Sequence, residues 1–79
     1  MTLKPAVLAG LARHGIVPRP GEDPGALRER LNDAYLEEVR RLRERQRGGE
    51  IPLAQYADHV EALKRAYPLL GLPLGLWSE

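Results

Sequence analysis

His14 and His59 are the two residues whose type suits them to move a proton or hold a metal, and they lie far apart in the chain. His59 stands in Asp58-His59-Glu61, the nearest approach to a constellation. Consecutive residues of a helix point about 100° apart, and the neighbours one turn away from His59 are Gln55 and Leu63. No paired ligand set forms there. His14 fits the last turn of a first helix, where a positive charge suits the helix dipole. Cysteine is absent, which removes disulfides, thiolate metal sites and a cysteine nucleophile together. Ser78 is the one serine and Thr2 the one threonine, so no hydroxyl nucleophile stands beside a base. Gly21 to Gly25 reads as a turn before a capped helix rather than a phosphate loop. Tyr35, Tyr56 and Tyr67 fall on apolar stripes, their rings in a core and their hydroxyls at its rim. The expectation is a protein that is not an enzyme, with no catalytic, cofactor-binding or metal residue.

The other chemistry available is positive charge. Arg40, Arg41, Arg43, Arg45 and Arg47, five arginines against Glu44 alone, give residues 40–47 a local charge of +4. Such a cluster could neutralise phosphates, and its binding would weaken steeply with salt. On a helix, however, these side chains point around the axis, and no aromatic is interleaved to stack on a base. Across the whole chain 12 basic residues meet 11 acidic ones, a net charge of +1 that provides no global steering toward a polyanion.

The elements that position these residues are helices. Sustained alternation is missing, phenylalanine is absent and β-branched residues are few, so a sheet has little to pack with. The fold class is therefore all-α: a short N-terminal helix over about 3–14, a long helix over 24–47, a third over about 52–67, and an extended apolar tail over 68–79. In the first helix Val7, Leu8, Leu11 and Ala12 form the apolar face; Gly15 suits the left-handed position after its end, and Ile16 folds back on Leu11. Asp23 followed by Pro24 is a strong start signal for the second. Its apolar positions Leu27, Leu31, Ala34, Tyr35, Val39 and Leu42 make one stripe. Leu36 is the exception, pointing away from that stripe among Glu29, Arg40, Arg43 and Arg47. Gly48-Gly49 leaves so short a connection that the second and third helices are expected to form an antiparallel hairpin, with Leu42 near Ala57, Val39 near Val60 and Tyr35 near Leu63. The segment from Arg47 to Tyr56, with Gly49, Ile51 and Tyr56 in the order Gly-x-Ile-x-x-x-x-Tyr between two helices, resembles the short C-terminal helical hairpins of the SHOCT type. Pro52 stands where those modules usually carry a Ser or Thr cap, and the resemblance implies at most an oligomerising accessory module, not membership.

Size completes the reading. At 79 residues and 8.8 kDa the chain is one small domain, and a single core of that size supplies on the order of 3–5 kcal/mol. The tail from Pro68 to Trp77 holds five leucines and the sole tryptophan with no charge, too sticky to be left in water. It is expected to dock either on the chain's own small core, at the start of the second helix and the first helix, or on a second subunit or an unknown protein partner. The outer end of the hairpin reaches beyond anything the first helix and tail can cover. A second copy laid alongside would complete a four-helix arrangement. The expectation is a homodimeric, non-catalytic protein-protein interaction or adaptor module. Its association surface would be formed by Leu36, Tyr56, Leu63, Leu74, Leu76 and Trp77. The runner-up is a nucleic-acid-associated accessory protein contacting a polyanion through Arg40, Arg41, Arg43, Arg45 and Arg47. With no cleavable leader and no apolar stretch near twenty residues, the chain reads as cytoplasmic and without a membrane partner.

Overall fold

Pro5 locks its own φ and lacks an N–H, so it opens a helix well, and α1 runs Pro5–Ala12. This computed structural model describes residues 2–79. Leu3 lies in an isolated antiparallel bridge with Ser78, which holds the chain extended until Pro5. The expected end at His14 is corrected to Ala12. Beyond it the His14 and Gly15 N–H groups donate to the carbonyls of Leu11 and Ala12, three residues back, and this tighter winding closes the helix. Gly15 takes φ 72°, a left-handed angle that costs a side chain about 1–2 kcal/mol. That turn lets the Ile16 N–H return to the Leu11 carbonyl at 3.0 Å, and both side chains are buried.

The second helix, α2, spans Pro24–Arg47, about 36 Å of continuous rod. Asp23 caps it by accepting a 2.8 Å hydrogen bond from the Ala26 N–H. Gly49, at φ 83°, ends the turn that follows. The third helix, α3, covers Leu53–Ala66, one residue shorter at each end than expected. Pro52 serves as its N-cap in an extended conformation, and Tyr67 leaves the helical region at the other end. Among the described residues there is no strand beyond the single bridge.

The core sits at one end of the molecule. Val7, Leu11 and Ile16 of the α1 region meet Leu27 and Leu31 of α2, together with Tyr67, Leu69 and Trp77. The tail, which supplies Leu69 and Trp77 to this core, is not extended: it folds into two tight 3-10 turns, Pro68–Gly71 and Leu74–Leu76. Pro68 and Pro73 preset the angles, and the N–H groups of Leu72, Leu76 and Trp77 each reach a carbonyl three residues back. Trp77 is completely buried, and its indole N–H donates to the Leu72 carbonyl at 3.3 Å. The backbone seals the arrangement, with the Lys4 N–H on the Trp77 carbonyl at 3.0 Å and the Glu79 N–H on the Thr2 carbonyl at 2.9 Å.

Away from that end the packing thins. α3 contributes no buried residue, Ala57 is exposed, and Val39, Leu42 and Val60 are only half-buried. The physical reason is simple: two helices at that end have no third layer to close over them. Ile51, buried in the turn between α2 and α3, lies outside the main cluster. The chain consequently measures 46 × 19 × 16 Å, with a radius of gyration of 14.6 Å. A compact domain of this length would have about 11.6 Å.

Candidate functional site

Three groups of side chains could do work. The first is a stack at the junction of α1 and α3. The Tyr67 ring lies against His14, with centroids 3.9 Å apart and planes 15° off parallel, while Tyr35 meets it edge-on at 5.4 Å. His14 Nε2 is 2.7 Å from the Ala66 carbonyl. A carbonyl can only accept, so Nε2 carries the proton and donates. Burial, reinforced by hydrogen bonding and charge from the neighbouring Glu38 carboxylate, pushes the Tyr67 phenol well above its ordinary value. A phenol held neutral in this way is a poor base and a poor nucleophile at neutral pH. The stack joins the end of α1 to the end of α3. Among the described residues no group of three or more His, Cys, Asp or Glu side chains could hold a metal ion.

The second group is the arginine run. Arg40 and Arg41 both face Glu37, at 3.3 and 3.9 Å, and Arg45 pairs with Glu50 at 3.0 Å. Arg43 and Arg47 are exposed and make no ion pair among the described residues. At about 100° per residue, Arg40, Arg43 and Arg47 share one side of α2 while Arg41 and Arg45 lie on the other. The run is thus split by the helix, and three of its five members already have an acidic neighbour.

The third group is apolar. Leu36 is 50% exposed, Leu53 73%, Leu74 36% and Leu76 49%. Leu74 rests beside Gly25 at the start of α2. Tyr56 is half-buried, and Leu63 is half-buried against the core. Of the six residues expected on an association surface, Leu36, Leu74 and Leu76 stand open to solvent. Trp77 does not, and this is a correction: its indole completes the chain's own core and has no surface to offer. Sequence reasoning missed Leu69, which is buried over α1. Gly10 was the available signal, because a Cβ there would lie 2.8 Å from Leu69 Cδ1.

No known family, curated protein or solved structure matches the chain. No helix is long and apolar enough to cross a membrane among the described residues.

Proposed function

We propose that this chain is a non-catalytic helical module that works by self-association, its α2–α3 hairpin pairing with that of a second copy in a dimeric bundle. One observation carries the reading. The chain exposes 5490 Å² of surface, whereas a compact monomer of this mass exposes about 4,800 Å². The excess of about 700 Å² is close to the roughly 800 Å² that each partner contributes to a standard interface. Leu36 on α2 and Leu53 on α3 are large apolar residues left exposed outside the core. A second copy supplies further helical surface for such residues to pack on. Arg43 and Arg47, the two arginines of the 40–47 run that make no ion pair among the described residues, are too few to favour a polyanion over this partner.

Sedimentation equilibrium across a wide concentration range tests the proposal. The expected result is a reversible shift from 8.8 kDa to twice that mass. A single 8.8 kDa species at the highest soluble concentration would sink it. Retention on heparin that disappears with salt, without any dimer, would favour the nucleic-acid reading instead.

A further inference from the structure

The pattern of charge along α2 carries the partner's orientation. One side of α2 presents Glu29, Asp33, Leu36, Arg40, Arg43 and Arg47, all exposed. They fall within about 80° of arc. The two acids precede Leu36 and the three bases follow it. Leu36 itself is the middle of the helix, with twelve residues of α2 before it and eleven after.

We propose that two copies pair through this face of α2, antiparallel, about a two-fold axis passing between the two Leu36 side chains. The inference rests on the self-association reading above and adds its geometry. With the axis at Leu36, residues equally far before and after it come level across the interface. Glu29 and Arg43 are each seven residues from Leu36, so Glu29 faces the partner's Arg43, and the symmetry repeats the pair. Asp33 is three residues before and Arg40 four after, so Asp33 is offset along the axis from the partner's Arg40 by only about 1.5 Å, one residue's rise. The axis brings the two half-exposed leucines together at the centre. It also overlaps the whole of both helices, the longest contact α2 allows. A parallel pairing in register sets Glu29 on Glu29 and Arg40, Arg43 and Arg47 each on its own copy, which is repulsive throughout. Antiparallel helices also bring opposite dipole ends together. At the ends of the pair, Leu74 lies beside Gly25, level with the partner's Arg47, whose aliphatic stem can cover it.

Complementation in trans tests this. Within one chain Glu29 and Arg43 are about 21 Å apart along the helix and do not touch. Glu29→Arg and Arg43→Glu, each alone, place like charges opposite one another twice and should weaken the dimer by about tenfold or more. Mixing the two variants should restore it, because only the heterodimer has opposite charges at both crossings. Circular dichroism confirms that each variant stays helical. Leu36→Cys supplies a second readout in a chain that has no other cysteine. Facing helices 8–10 Å apart bring the two Cα atoms to about 3.5–5.5 Å, within disulfide range. The variant should oxidise to a linked dimer, whereas Asp58→Cys, on the outer side of α3, should not. If the wild-type chain dimerises but Leu36→Cys forms no disulfide and mixing brings no rescue, this geometry is overturned and the self-association reading still stands. A wild-type chain that stays monomeric overturns both.

Discussion

Trp77→Ala is the sharpest test of how this small core is held. The indole is fully buried among α1, α2 and the tail. A tryptophan buries about 200 Å², about 5 kcal/mol at 25 cal/mol per Å². Measured truncations of this kind remove about 3–5 kcal/mol. The indole N–H bond to Leu72 is lost with it, and the Leu72 carbonyl must then be satisfied by water. At 0.05–0.15 kcal/mol per residue the whole chain is stable by about 4–12 kcal/mol, with small cores near the lower end. One substitution therefore removes most of the total. Urea unfolding followed by circular dichroism, at fixed protein concentration, measures the loss. With a slope of about 1 kcal/mol per molar urea, the midpoint should fall by about 3 M or more, leaving much of the helix signal absent before denaturant is added. The intact protein should show blue-shifted tryptophan emission that a polar quencher barely reaches. A variant with an unchanged midpoint, or native emission typical of indole in water, would refute the account of a core closed by its tail.

Other outcomes follow from single features. Because the folded chain holds the Tyr67 phenol neutral above its ordinary value of 10.0, the unfolded state releases that proton first as pH rises. Stability should be intact below about pH 10 and decline above it; Tyr67→Phe should flatten the decline in alkaline unfolding curves. Gly15→Ala forces a side chain into φ 72° with nothing near it to compensate, and thermal melts should show a loss of about 1–2 kcal/mol. Asp23→Ala removes the cap on the Ala26 N–H and should lower stability by about 1 kcal/mol, whereas Asp23→Asn should recover most of it.

How far the sequence could be read depended on the range of the interaction. Local chemistry was legible: Asp23-Pro24 starts α2, and Gly15 with Ile16 closes α1 through a bond between residues five apart. Those signals act within one turn and need no knowledge of the rest of the chain. The tail was harder, since alternating Pro, Gly and Leu fits an extended strand or successive 3-10 turns equally well. Only the space between α1 and α2 decides between them. The stack of His14 on Tyr67 joins positions far apart in the chain, and neither residue announces the other. On the candidate surface, Leu36 stood out as an apolar residue on a charged face. Trp77 had the same greasy character, yet nothing in its neighbours distinguishes a residue that closes its own core from one that meets a partner.

The bridge between Leu3 and Ser78, with the Glu79 amide on Thr2, makes the covalent path nearly a ring. A short linker joining these segments, with new termini cut at the exposed Gly48-Gly49 turn, would reroute the polypeptide without removing a core contact. Thr2 and Glu79 therefore share one corner of the structure, on the side of the buried tryptophan.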